Sequence, residues 1–107
     1  MDTQKIESLK RIIEKDPNAL LAQFGLAKAY MDGGNFTAAA AHFREAIRIK
    51  PDYTAAYRFL GISLEKSGNL EEAKEVFRQG LQVSERTGDM EAGKVMAVFL
   101  KRLESGQ

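Results

Sequence analysis

The chain has 107 residues, 44% of them hydrophobic and 29% charged, which is enough apolar mass for one folded domain and too little length for two independent cores. Its 16 basic and 15 acidic side chains give a formal net charge of +1, so no overall field attracts nucleic acid or an anionic membrane. The absence of cysteine excludes disulfides, a thiolate nucleophile and zinc sites with sulfur ligands.

The first residues mix charges with single apolar side chains and contain no apolar run typical of a signal peptide. The uncharged stretch of residues 36–43 is far shorter than a bilayer span. We therefore expect no membrane-crossing segment and no export by that route, and we predict a cytoplasmic location.

The first predicted helix covers residues 3–15 and carries charges of both signs. Its basic residues are Lys5, Lys10, Arg11 and Lys15, and the acidic residues interleaved with them are Glu7, Glu14 and Asp16. Such interleaving is typical of a helix face in water rather than of a nucleic-acid surface. We predict no nucleic-acid partner, although an RNA-binding repeat stays open as a third hypothesis.

The second and third predicted helices, residues 19–32 and 36–49, are amphipathic, with apolar residues at helical spacing. Between them, Gly33-Gly34 is free to adopt left-handed dihedral angles, and Asn35 is suited to cap the third helix. The glycine pair lacks the preceding strand and the further glycines of a phosphate-binding loop, so it predicts a turn and no nucleotide cofactor.

The fourth and fifth predicted helices, residues 53–66 and 70–86, repeat this layout after a break at Lys50-Pro51-Asp52. Ser67-Gly68-Asn69 repeats the glycine-asparagine turn between them. Asn69 and a glutamate three residues later, Glu72, predict a capping box at the start of the fifth helix.

The sixth predicted helix, residues 89–104, is apolar on one broad face. That face consists of Ala92, Val95, Met96, Phe99, Leu100 and Leu103. Lys94 and Lys101 lie opposite, as expected of a helix that caps the end of the preceding helix pair. A surface for self-association is the alternative, because Ala97 and Val98 extend the apolar character.

The same residue types return 34 positions apart. The pairs are Pro17 and Pro51, Leu26 and Leu60, Gly34 and Gly68, Asn35 and Asn69, Ala39 and Ala73, Phe43 and Phe77, and, by class, Ile47 and Leu81. One step earlier, Leu9, Ile12 and Ile13 fall on the positions of Phe43, Ala46 and Ile47. The repeat pattern therefore begins with the second half of a repeat.

A 34-residue unit of two helices with Leu-Gly, Ala-x-x-x-Phe and Pro landmarks resembles the tetratricopeptide repeat. The second unit matches it best, through Tyr57, Leu60-Gly61, Gly68-Asn69, Ala73 and Phe77. The departures are Gln23 at the bulky aromatic position, Gly80 where Ala46 would repeat, and Glu85 where Pro51 would repeat. The last of these predicts that the fifth helix runs past its usual stop.

The resemblance implies an all-α, right-handed α-α superhelix, a single domain over residues 1–107 with about six helices. We expect residues 3–17 to be the second half of a repeat, 20–53 and 54–87 to be whole repeats, and 88–104 to be a C-terminal capping helix. Small residues are required where its helices approach closely, which accounts for Ala27, Ala39, Gly61 and Ala73.

In this family the first helix of each repeat lines a concave groove, so the resemblance implies a protein-interaction adaptor that binds a partner peptide or helix there. The positions that packing does not use are Leu21, Phe24, Lys28, Met31, Arg58, Ile62, Glu65 and Lys66. We predict an exposed apolar strip rimmed by basic residues, which suits an amphipathic or acidic-hydrophobic segment. Homo-oligomerisation through the groove or the last helix is the alternative.

Two other roles are disfavoured. The family's chaperone-tail clamp needs a lysine and two asparagines at positions that hold Phe24, Lys28 and Phe59 here, so the clamp is absent. His42, the only histidine, has no partner set for a metal site or a catalytic triad, and we predict that it lies on the outer surface. We expect no metal, no cofactor and no enzymatic activity.

Overall fold

A computed structural model describes residues 2–106, and within that range the chain forms six α-helices and no strand. They are α1 (Thr3–Lys15), α2 (Leu20–Asp32), α3 (Phe36–Ile49), α4 (Thr54–Lys66), α5 (Leu70–Thr87) and α6 (Met90–Glu104). All six predicted helices are confirmed, with each end within one residue of its predicted position. None of these described helices is both long and apolar enough to cross a membrane.

Each helix packs against the next one along the chain, and α4 also contacts α6. The stack is elongated, with extents of 40 × 28 × 18 Å. The predicted all-α stack of helix pairs is confirmed. In this stack the first helices of successive pairs, α2, α4 and α6, share one surface.

The two turns within the repeats share their geometry, with φ values of 83° at Gly34 and 89° at Gly68. Asn35 caps α3 as predicted, because its side-chain oxygen accepts a hydrogen bond from the Ala38 amide at 3.3 Å. The positive φ values place both glycines in the left-handed region that side chains disfavour.

The capping box predicted at the start of α5 is wrong. The Asn69 side chain makes no capping bond to α5, and its amide donates instead to the Ser67 hydroxyl at 3.3 Å. Glu72 forms an ion pair with Arg44 of α3. Both members of the expected pair therefore have competing partners, one in the turn and one on the neighbouring helix.

The core is built where large rings meet small residues. Phe43 and Phe77 are fully buried, as are the small residues Ala27, Ala39 and Ala73. A methyl group at Gly61 would lie 2.3 Å from a ring carbon of Phe77, so α4 and α5 touch at a position that only glycine leaves open. The predicted need for small residues at these close approaches is confirmed.

Helix α5 has 18 residues where α3 has 14, which confirms that it continues past the usual stop. Gly80 lies under α6, since a methyl group there would be 2.4 Å from the Met96 sulfur and 2.9 Å from Tyr57 Cβ. Met96, Leu100 and Leu103 are buried in this contact. The glycine at position 80 therefore permits α6 to cover α5.

Gln23, the apparent departure from the repeat, performs the same anchoring as its counterpart Tyr57. Its amide nitrogen donates to the Pro17 carbonyl at 3.0 Å, and the Tyr57 hydroxyl donates to the Pro51 carbonyl at 2.6 Å. Each bond ties the first helix of a repeat to the turn before it. The Gln23 amide can thus replace the Tyr57 phenol, because each donates a hydrogen bond to the proline carbonyl at the equivalent position of its repeat.

The prediction that His42 lies on the outer surface is wrong. Its ring is half-buried and stacks on Tyr30 with centroids 5.8 Å apart. The Gln23 amide nitrogen is already a donor, so its oxygen accepts from His42 Nδ1 at 2.8 Å. Sequence register placed His42 beside Phe43 but did not show its contacts with Gln23 and Tyr30.

Burial lowers the pKa of His42 below its ordinary value of 6.5. The unfolded chain therefore binds more protons than the folded one between the two pKa values. The free energy of unfolding should be highest above pH 6.5 and should fall as the pH drops through the folded pKa. Urea unfolding at about pH 7.5 and about pH 5 measures this decrease. In His42→Gln the decrease should be smaller, and an unchanged pH dependence would contradict the assignment.

Candidate functional site

The surface that joins α2 to α4 is centred on four aromatic rings, which we call the aromatic cluster: Phe24, Phe43, Tyr53 and Phe59. The Phe24 centroid lies 5.0 Å from Tyr53, 5.5 Å from Phe43 and 5.9 Å from Phe59. Phe43 and Phe59 stack at 5.8 Å. Phe43 is fully buried, whereas the other three rings are half-buried, so the cluster extends from the core to the surface.

Two cations lie against the same ring of this cluster. Lys28 Nζ is 4.0 Å from the Phe59 centroid and Arg58 Cζ is 4.4 Å from it. Each contact is favourable by about 0.5–1 kcal/mol, but the two positive charges repel one another. Neither forms an ion pair with a residue in the range 2–106. The Phe59 ring therefore has two positive charges close to it.

Asp89 is an acidic neighbour of Arg58, and it caps α6 by accepting from the Ala92 amide at 3.3 Å. A hydrogen bond from Thr54 holds the pKa of the Asp89 carboxyl below its usual range, with the Ala92 amide and the Arg58 charge as further causes. Arg58 is thus partly balanced. Its Nε is nevertheless buried with no hydrogen-bond partner, an unmet donor at the edge of the site.

The predicted apolar strip differs from the one observed. Phe24, Met31 and Ile62 are half-buried and pack against the core, so they are not a freely exposed row. Leu21 is 80% exposed, but it lies beside Leu9 and Ile12 at the other side of α2. The helix period alone did not show which of these side chains the neighbouring helix would cover.

The remaining predicted site residues separate into two environments. Lys66 is exposed, with Nζ 6.0 Å from the Phe36 centroid. Glu65 binds Arg102 of α6 through both carboxylate oxygens, at 2.7 and 2.8 Å. The Glu65 carboxylate therefore helps to hold α6 on α4.

Sequence reasoning missed the central role of Phe59. It appeared only as a mismatch to the chaperone-tail clamp, although the structure places it between Phe24, Lys28 and Arg58. The available signal was a phenylalanine and a basic residue on each first helix. They do not fall at equivalent repeat positions, since Phe24 is equivalent to Arg58 and Lys28 to Ile62. Within residues 2–106, no three histidine, aspartate or glutamate side chains are grouped as metal ligands.

Comparisons with known proteins agree on the family. Two family models described as tetratricopeptide repeat match residues 6–54 and 31–86. A TPR repeat-containing protein of Pseudomonas aeruginosa is 35% identical over 99 residues, which covers 92% of this chain and 94% of that protein. The latter is thus a relative of nearly the same length.

Solved structures extend the comparison to the fold. A Bordetella parapertussis protein solved in solution has a TM-score of 0.82 at 31% identity, covering 94% of this chain and 88% of that one. The first TPR of Spaghetti (RPAP3), bound to an HSP90 peptide, has a TM-score of 0.78 at 23% identity, covering 94% and 75%. The second likeness is one of fold alone.

Proposed function

Because the chain belongs to the tetratricopeptide-repeat family, we propose that it is a protein-interaction adaptor that holds a segment of another polypeptide on the α2–α4 surface. The observation that supports this site is the pair of cations, Lys28 and Arg58, on the ring of Phe59. Aromatic residues and arginine are enriched at protein interfaces, so a surface with aromatic rings and positive charges without ion-pair partners suits a polypeptide partner.

The chemistry of the site favours a segment with a carboxylate close to an apolar side chain. The carboxylate would lie near the Lys28 ammonium and the Arg58 guanidinium, where it relieves the repulsion between the two charges. The apolar side chain would contact the half-buried rings of Phe24 and Phe59. In this proposal Met31, Ile62 and Lys66 extend the surface, whereas Leu21 and Glu65 are not part of it.

The same fold holds a peptide in the Spaghetti domain, and a TPR2B domain of yeast Sti1 is described in complex with pHsp70. That supports a polypeptide ligand for this fold. The clamp positions hold Phe24, Lys28 and Phe59 here, so the ligand differs from a chaperone tail read by lysine and asparagine. We propose no catalytic role for the chain.

Reversing both charges should abolish binding while leaving the fold intact. In pull-downs from lysate of the source organism, Lys28→Glu/Arg58→Glu should lose the partner that wild type captures, since two charge-assisted contacts of about 1.5–3 kcal/mol each disappear. Lys5→Glu/Arg11→Glu is the matched control, because it makes the same change in charge at exposed positions of α1. The control should keep the partner.

The captured protein then provides the quantitative test. Peptides spanning it should bind wild type through an acidic-apolar segment, with an affinity at least tenfold higher than for the Lys28/Arg58 variant and lower in high salt. A captured protein that binds both double variants equally, with circular dichroism showing each to be folded, would exclude this surface. A segment without acidic residues would exclude the proposed chemistry.

A further inference from the structure

Helix α1 has the sequence register of the second helix of a repeat, but it lacks a first-helix neighbour within residues 2–106. Its Ile12 is 48% exposed, whereas Ala46, the equivalent residue of α3, is fully buried. Leu9 is half-buried, whereas its equivalent Phe43 is fully buried. The difference leaves a hollow of about 460 Å³ between α1 and the start of α2, lined by Leu9, Ile12, Ala19, Leu20, Leu21 and Ala22.

The chain itself shows what covers this kind of surface. One repeat later, the positions equivalent to Leu9 and Ala19 are Phe43 and Tyr53. Phe24, a first-helix residue of α2, covers both, with ring centroids 5.5 and 5.0 Å away. The hollow beside α1 therefore lies where the first helix of a repeat would pack.

Helix α6 has the complementary deficiency. It follows α5 as the first helix of a pair, and counted from the start of each helix its buried Met96 has the same position as Leu60 of α4. The next residue in α4, Gly61, is buried under the second-helix ring of Phe77. In α6 the next residue, Ala97, is exposed. Within the described residues α6 therefore has no second-helix neighbour after it.

The surface around Ala97 is partly concave and combines exposed apolar side chains with the charges of Glu85 and Lys94. Val98 is 66% exposed and Met90 is 63% exposed. Leu81, Met90 and Ala97 contribute to a hollow of about 230 Å³ between α5 and α6. A small residue at the close-approach position is also what α4 presents to its own second helix, at Gly61.

We propose that the chain associates head to tail, with α1 of one copy docked on α6 of another. A second copy is the occupant that fits. Within residues 2–106, α1 has no first-helix neighbour before it and α6 has no second-helix neighbour after it, so each helix can supply what the other lacks. The two half repeats would then form one complete repeat across the junction. Since the two surfaces differ, the contact is heterologous and leaves a free end for further copies. This association is independent of the proposed partner site on α2 and α4.

Blocking either end with a charge provides a complementation test. Wild type should increase in mass with concentration up to the millimolar range in sedimentation experiments. Ile12→Arg and Ala97→Arg should each remain monomeric, because each has lost one of the two surfaces. Their equimolar mixture should reach twice the monomer mass and stop there, since only one intact α6 surface and one intact α1 surface remain to combine. Both substitutions are at exposed positions, and thermal melting monitored by circular dichroism verifies the fold.

Crosslinking provides a second measurement, because the chain has no cysteine of its own. Under oxidation, Ile12→Cys mixed with Ala97→Cys should form a mixed disulfide, and Thr37→Cys on exposed α3 should give only background with either. A monomeric wild type at every concentration would overturn the proposal. Association of either arginine variant alone would also overturn the proposal, because in a contact between identical surfaces only one of the two substitutions would prevent association. A mixture of the two folded variants that stays monomeric would overturn it as well.

Discussion

Removal of α6 by cutting the chain before Gly88 should leave a protein that is unfolded or aggregated at room temperature. Met96, Leu100 and Leu103 are at most 9% exposed in the contact with α5 and α4. Burial of such side chains stabilises a fold by about 1.5–3 kcal/mol each, and a whole domain is stable by only about 5–15 kcal/mol. The loss also uncovers the face of α5 at Phe77, whose ring centroid lies 5.6 Å from that of Phe99.

Circular dichroism and size-exclusion chromatography of the truncated chain measure this loss. A chain that ends at Glu104 is the control, because it retains every buried residue of α6 and should melt like the full chain. A truncated protein that stayed soluble and monomeric, with the melting temperature of the full chain, would show that α6 is dispensable for the fold.

Gly61→Ala should lower the free energy of unfolding by about 1–3 kcal/mol, because a methyl group there overlaps the ring of Phe77. The ring is fully buried, so it has little room to move away. This cost should exceed the gain that alanine brings to a helix interior, which is about 1 kcal/mol. Urea unfolding with an unchanged slope against denaturant measures the net effect.

Gly25→Ala is the matched control for this substitution. Gly25 also lies inside a first helix, but a methyl group there would be 3.7 Å from the Leu9 side chain, an ordinary contact. This variant should be more stable than wild type by about 0.5–1 kcal/mol. If the two variants changed stability by the same amount, the close approach of α4 and α5 would not be what requires glycine at position 61.

The helices and the repeat could be predicted from the sequence because they depend on local spacing and on a step that recurs along the chain. The 34-residue offset also identified close-approach positions such as Gly61 and Ala73, since helix pairs of one family meet at fixed places. The longer α5 followed from Glu85, which replaces the proline that would have ended it.

Contacts between side chains of different helices were harder to predict, because they depend on which side chains meet rather than on spacing along one helix. His42 is half-buried and bonded to Gln23, a contact that the spacing along one helix does not indicate. Phe59 became the centre of the candidate site only through rings and cations that three different segments bring to it. Exposure of Phe24 and Ile62 was overestimated for the same reason, since their cover comes from other helices.

The attachment of α1 has a consequence for how the protein unfolds. Of its residues only Ile6 is buried, and α2 is the one neighbour it packs against within the described range. In a stack held together by neighbouring contacts, a terminal helix opens at lower free energy than the interior. Amide hydrogens of α1 are thus expected to exchange through local opening while α3 and α4 remain closed. A copy docked at that end would make the opening of α1 dependent on concentration, so that local folding and assembly become linked equilibria.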